Sequence, residues 1–283
     1  MKKKRYIYIF TLSLIGLIVS SCDGFLDTVP TDRVVASTAT KTLYDAQVAV
    51  NGLYSDMKYS DYYGGLMQMM GDNRGDNIQP AILGTGWMAI YTFNFESTAN
   101  NYFSIWQKCY NTIMRANTLL ENLKNMEVST AADIAKKNDY IGQAYAVRAF
   151  VYFDLARLYG YPYLKDNGAS LGAVLITELT PPSESRKPRS TVAQTYAQVL
   201  SDLDAALAPS LLSKNINTGH FNYWSAKMLE ARVNLYMGQW DKAFLAAKEV
   251  IDHSPYDLVA TNKYVDHFKE TGSPETILEF FVS

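Results

Sequence analysis

The sequence predicts an all-α protein, an array of paired helices interrupted by long irregular insertions. Three observations carry that prediction. Asp139 to Leu164, DYIGQAYAVRAFVYFDLARLYGYPYL, is apolar on two adjacent helical faces. Six residues between Ala231 and Pro255 recur at the spacing of a helix-pair repeat. Segments 42–57, 101–126 and 191–207 each carry an apolar stripe at helical intervals.

The chain opens with Lys2, Lys3, Lys4 and Arg5, then the apolar run Tyr6 to Val19, then Ser20-Ser21-Cys22. Basic, apolar and small-residue regions in that order make residues 1–21 a signal peptide. The run of about 14 apolar residues is shorter than the roughly 20 that a membrane-spanning helix needs. Val19-Ser20-Ser21-Cys22 is similar to a bacterial lipobox, which implies that Cys22 becomes a lipid anchor. Cys109 is the other cysteine of the two, so it is expected to be a buried, inert thiol. Residues 22–41 read as an extended, lipidated tether containing Pro30 and Thr31-Asp32, and the helical domain is expected over 42–283.

The chain has 283 residues, 48% of them apolar, enough for a large core. Its formal charge is −2, but four of the 26 basic residues lie in the leader; the rest sets 22 basic against 28 acidic residues, a net −6. Nucleic acid is excluded as a partner on that charge, because counterion release needs a basic surface. Tyrosine occurs 21 times and tryptophan four times, a composition that suits both cores and sugar- or protein-binding surfaces.

A helix through Met57, opened by Thr42 or Asp45, is expected to bury Leu43, Ala46, Val50, Leu53 and Tyr54. Gly64 to Met70 is a further short apolar segment. From Gly71 to Phe95, GDNRGDNIQPAILGTGWMAIYTFNF, the helical pattern disappears and glycines, Pro80, Asp and Asn take over. A loop of this length in a compact domain is usually functional, and its aromatic content argues for an ordered one. Asp72, Asn73, Asp76 and Asn77 offer oxygens to a cation, but the bidentate Glu of a helix-loop-helix calcium site is missing, so no metal or cofactor is expected.

Asn101 to Met126 spaces Phe103, Trp106, Tyr110, Ile113, Met114 and Leu120 at helical intervals. The central helix begins near Thr130. Ile141, Tyr145, Tyr152, Ala156 and Tyr159 form one side and Ala144, Val147, Val151, Leu155 and Leu158 the next, interrupted only by Gln143, Arg148, Asp154 and Arg157. It is expected to be core scaffold, stopped by a left-handed cap at Gly160 and by Pro162. Ala173 to Ile176 reads as a strand or an extended crossing. Ser190-Thr191 starts a helix with stripe Val192, Tyr196, Val199, Leu203 and Ala206.

Ala231, Gly238, Trp240, Ala243, Ala247 and Pro255 stand at offsets 0, 7, 9, 12, 16 and 24, the small, small, aromatic, small, small and Pro positions of a tetratricopeptide unit. Small residues there allow two helices to approach closely. His220, His253 and His267 are far apart in turn-rich surroundings and are expected to be exposed loop residues without metal spacing.

Four blocks carry a family resemblance: SCDGFLDTVPTD, AYAVRAFVYFDLARLYGYPYL, RSTVAQTYAQVLSDLDAAL and AKMLEARVNLYMGQWDKAFLAAKEVID. In this order they resemble the SusD/RagB family of outer-membrane nutrient-binding lipoproteins. The resemblance implies a tetratricopeptide-like array, lipid-anchored at the outer membrane and surface-exposed. It also implies a SusC-like TonB-dependent transporter as partner, an oligosaccharide or other nutrient as ligand, and no catalysis. Family ligand contacts lie partly in the loop before a WxxxYxxIxRAN-like helix, here Trp106 to Asn117, which points to Gly71–Phe95. Within it Trp87 is the candidate stacking platform, and Asp72, Arg74, Asp76 and Asn77 are candidate hydroxyl partners.

Family members are commonly nearly twice this long, and the chain ends in the apolar run Thr276 to Val282. It is therefore expected to be incomplete at its C-terminus, with an apolar edge exposed there. The alternative function is a tetratricopeptide-type interaction scaffold without its own ligand. A glycoside hydrolase needs two carboxylates about 5 to 9 Å apart, for which Asp72 and Asp76 are the available pair, but no nucleophile or acid/base motif accompanies them.

Overall fold

The computed structural model describes residues 40–75, 77–81, 86–94, 100–179, 186–269 and 272–280. The leader 1–21, Cys22 with its tether as far as residue 39, and Asp76 lie outside the described residues. Everything described belongs to the unit that starts at Thr40. Its helices are α1 (Leu43–Met57), α2 (Leu66–Arg74), α3 (Gly86–Tyr91), α4 (Asn100–Lys124), α5 (Ala131–Tyr159), α6 (Val192–Ala206), α7 (Tyr223–Tyr236), α8 (Trp240–His253) and α9 (Tyr264–His267). No strand occurs among the described residues, and the protein is all-α.

Local chemistry sets the helix starts. Thr42 and Asp45, Thr191 and Gln194, and Asn222 and Ser225 form capping boxes at α1, α6 and α7, each satisfying two backbone donors. Thr130 caps α5 by accepting the Asp133 N–H. At the other end of α5 the expectation fails in detail: Gly160 is extended, with φ −102°, not left-handed. Glycine is required there by proximity, since a Cβ would sit 2.7 Å from the Ala156 carbonyl oxygen and 3.0 Å from Val192 Cγ2.

The 29-residue α5 is the axis of the fold and packs against α1, α4, α6 and α7. Ala144, Val147, Val151, Tyr152, Phe153 and Leu155 are fully buried. Burying the valine, leucine and phenylalanine side chains among them contributes roughly 1.5 to 3 kcal/mol each. Around them close the α1 stripe of Ala46, Val50, Leu53 and Tyr54, the α4 residues Ile105, Cys109 and Ile113, and the whole predicted α6 stripe. Burial pushes the Cys109 thiol pKa well up, which keeps it inert.

Ala173 to Ile176 is an extended crossing without a sheet; nearby, Leu171 and Thr191 form an isolated bridge. Side chains replace the missing neighbour strand. The Tyr110 hydroxyl donates to the Val174 carbonyl at 3.0 Å and accepts its N–H at 2.7 Å, and the Tyr152 hydroxyl serves Ile176 in the same way at 2.9 and 2.7 Å. Thr195 accepts the Ala173 N–H, and Arg189 donates to the Gly172 carbonyl. The crossing thus satisfies its backbone groups without a ladder. Tyr152→Phe should cost about 1 kcal/mol, the lower end for an unpaired backbone group because Ile176 is only half-buried. A shifted urea midpoint with unchanged helical circular dichroism checks this.

The WxxxYxxIxRAN segment is explained by the same packing. Trp106 lies between Tyr110 and Tyr159, Ile113 and Ala116 are buried, and Arg115 pairs with Asp56 at 3.1 Å. The Asn117 amide donates to the Ile176 carbonyl at 2.8 Å. Tyr110 and Asn117 hold the crossing, Arg115 the α1–α4 contact and Trp106 the packing of α4 on α5.

In the repeat pair α7 and α8, Gly238 adopts φ +70°, where a Cβ would meet Leu164, and Ala231 and Ala243 are buried. Trp240, the aromatic of the repeat, is 60% exposed, and Phe244, Leu245 and Ile251 are 64 to 78% exposed, because α8 packs chiefly on α7. The C-terminal run is also not simply an open edge. Phe280 packs on Tyr63 and Phe150 with ring centroids 5.1 and 6.0 Å apart, and Leu278 joins the same core.

Candidate functional site

The Gly71–Phe95 segment is more helical than its pattern predicts. α2 continues through Arg74, and Gly86–Tyr91 forms a helix of its own. Tertiary contacts override the weak propensity: Met70, Asn73 and Ile90 are buried, and the Asn73 amide donates to the Trp87 carbonyl at 2.8 Å, joining the two helices. Asn73 Oδ1 is buried without a hydrogen-bond partner among the described residues, which leaves unused acceptor capacity beside Trp87.

Trp87 is half-buried and packs against the core. Asp72 and Asn77 come together. The Asp72 carbonyl accepts the N–H groups of Asn77 and Ile78 at 3.0 and 3.3 Å, and its carboxylate accepts the Asn77 amide at 3.3 Å. This is a turn held by its own polar groups, with Asp72 half-buried and Asn77 exposed. Arg74 is the half-buried last residue of α2. Asp76, and with it the Asp72–Asp76 carboxylate pair, lies outside the described residues. No cluster of metal ligands occurs among the described residues.

Phe93, which the pattern does not single out, is the most exposed aromatic among the described residues of this segment at 61%. It has φ +54°. The Phe93 N–H donates to the Ile90 carbonyl and the Asn94 N–H to the Ala89 carbonyl, the closing bonds of a helix end that normally carries glycine. A phenylalanine there bears a backbone cost of about 1 to 2 kcal/mol. Strain of this kind concentrates at functional positions. The signal in the sequence was an aromatic just after a short apolar run, with no glycine to end the helix.

His220 is half-buried, not exposed: its ring stands edge-on to Tyr54, centroids 4.2 Å apart. Burial first, then the charge of Lys58, pushes its pKa below the ordinary histidine value. His253 is exposed and His267 half-buried.

A SusD-like family model described as "Starch-binding associating with outer membrane" matches residues 24–235. SusD-like protein P38 of Formosa agariphila is 26% identical over 93% of this chain and 49% of its own length, and P25 of the same organism is 26% identical over 88% and 46%. The chain thus spans about half the length of the curated relatives it matches. Among solved structures, a SusD superfamily protein from Bacteroides thetaiotaomicron superposes with a TM-score of 0.77 at 32% identity, covering 86% of this chain and 53% of that one. A structure from Bacteroides vulgatus described as a putative sugar binding protein gives 0.75 at 35% identity, covering 87% and 54%. With three quarters of its length matched by one family model, and with the same helical fold, the chain belongs to the SusD-like family.

Proposed function

We propose that the chain serves glycan capture at the outer membrane: anchored by lipid on Cys22, it binds an oligosaccharide and works with a SusC-like TonB-dependent transporter in uptake. The observation that carries this reading is the family match over residues 24–235, which begins two residues after Cys22. The protein binds and does not catalyse. Trp87 and Phe93 supply apolar ring faces for sugar C–H groups. Asp72, Arg74, Asp76 and Asn77, with Asn73 Oδ1, supply polar partners for hydroxyls.

Affinity electrophoresis against a panel of α- and β-glucans tests this. Trp87→Ala should weaken binding by about 1 to 3 kcal/mol, as loss of an aromatic hot spot does. Phe93→Gly should weaken it similarly while raising the urea midpoint, because glycine relieves the positive φ. Unchanged mobility of both folded variants in every retarding glycan would remove the two rings from the site.

A second reading, a tetratricopeptide-type interaction scaffold, draws on the exposed Trp240, Phe244, Leu245 and Ile251 of α8. It expects no retardation by any glycan.

A further inference from the structure

A cleft of about 460 Å³ lies between α1 and the loop leading into α7, and none of Trp87, Asp72, Arg74 or Asn77 lines it. Its volume is in the range of small-molecule sites. Asn51 and Tyr54 of α1 and Lys58, which caps the C-terminal end of that helix, line it at spacings of three and four residues. Asn217, Thr218 and His220 line it from the loop, joined by Gly219.

The walls are held in place from behind. The buried Tyr54 hydroxyl donates to Gln143 Oε1 and accepts the Phe221 N–H at 2.7 Å. In the loop, the His220 N–H donates to Asn217 Oδ1 at 3.1 Å, and the Thr218 carbonyl accepts the Glu279 N–H at 2.6 Å. A site so fixed loses little entropy on binding.

The chemistry of the lining is one-sided. It holds one cation, Lys58, and no carboxylate, and Lys58 makes no ion pair with a described residue. His220 Nε2 is 3.3 Å from Asn51 Oδ1, a contact that suits the tautomer with its hydrogen on Nε2. With His220 neutral, Nδ1 is left as an acceptor on the same ring. Asn51 and Asn217, their Oδ1 atoms engaged, retain amide donors, and Thr218 brings a hydroxyl.

We propose that this cleft binds a small carboxylate that also bears hydroxyl groups, of the hexuronate class. The carboxylate pairs with Lys58 and the amides of Asn51 and Asn217. Ligand hydroxyls meet Thr218 and His220, and the ring lies along the Tyr54–His220 wall. A neutral sugar leaves Lys58 without a counter-charge, and a bare carboxylate leaves the hydroxyl partners unused. The proposal does not depend on the glycan site at Trp87 and Phe93.

The test is an NMR titration of the purified, ¹⁵N-labelled protein with D-glucuronate, D-glucose and acetate, following the amides of Thr218, Gly219 and His220. Glucuronate should saturate their shifts at concentrations at least about tenfold below those needed for glucose or acetate, as a charge-assisted contact demands. Lys58→Met should raise the apparent Kd for glucuronate at least about tenfold, while Lys58→Arg and Trp87→Ala leave it within about threefold. Equal response to glucose, an unaltered Kd in folded Lys58→Met, or shifts confined to residues 86–94 would overturn the assignment.

Discussion

Arg148→Met lowers the stability of the fold by about 3 to 5 kcal/mol, the cost of leaving a buried carboxylate without its cation. Arg148 and Asp202 have side chains only 5% and 2% exposed. The guanidinium grips both carboxylate oxygens, at 2.8 and 2.6 Å, and the remaining fork nitrogen donates to Asn117 Oδ1 and to the Thr177 carbonyl at 2.6 and 2.8 Å. One side chain therefore ties α4, α5, α6 and the extended crossing together. Urea denaturation checks the loss. The double variant Arg148→Met/Asp202→Leu should regain most of it, since an apolar pair of similar volume replaces a buried ion pair with little net cost. A double variant as unstable as the single one would mean that the hydrogen bonds to Asn117 and Thr177, not the ion pair, carry the effect.

Phe153→Ala costs a comparable 3 to 5 kcal/mol, through lost burial and the cavity left behind. Phe153 is fully buried on α5, with Tyr196 of α6 and Tyr236 of α7 edge-on to it at 5.8 and 5.2 Å and the Arg157 guanidinium over its ring at 4.8 Å. No single neighbour can collapse into the space without leaving another. Phe153→Leu, which keeps most of the volume, should lose less than half as much; equal losses for the two in urea denaturation would show that the site relaxes around the smaller residue.

The helices were legible because the signals that specify them are local. Apolar positions at helical spacing and Thr42, Thr130 and Thr191 at the starts are read directly from the chain, and burial follows the stripes on α1 and α6; on α4 the buried face is turned to Ile105, Cys109, Ala116 and Leu119, which leaves Trp106, Tyr110, Met114 and Leu120 half-buried. What the pattern hid depends on residues distant in sequence. Gln143, Arg148 and Asp154 look like interruptions of an apolar helix. Their partners are Tyr54 and Phe221, Asp202 and Asn117, and Tyr62, which are 31 to 92 residues away. The candidate site was legible as a segment, from its loss of helical period, but not in its geometry. Asn73 looked like one turn residue among several, yet it is buried and joins α2 to Trp87. Phe93 left one trace in the sequence, an aromatic after a short apolar run with no glycine to end the helix, but what marks it is its exposure and its positive φ, a backbone property that no side-chain pattern records.

The most direct test of the uptake role is a mild-detergent pull-down of the tagged protein from its native outer membrane, with partners identified by mass spectrometry and Cys22→Ala as the unanchored control. The account predicts one stoichiometric TonB-dependent transporter with the lipidated protein, and loss of membrane association in the control. Recovery of the anchored, folded protein with no transporter would contradict it.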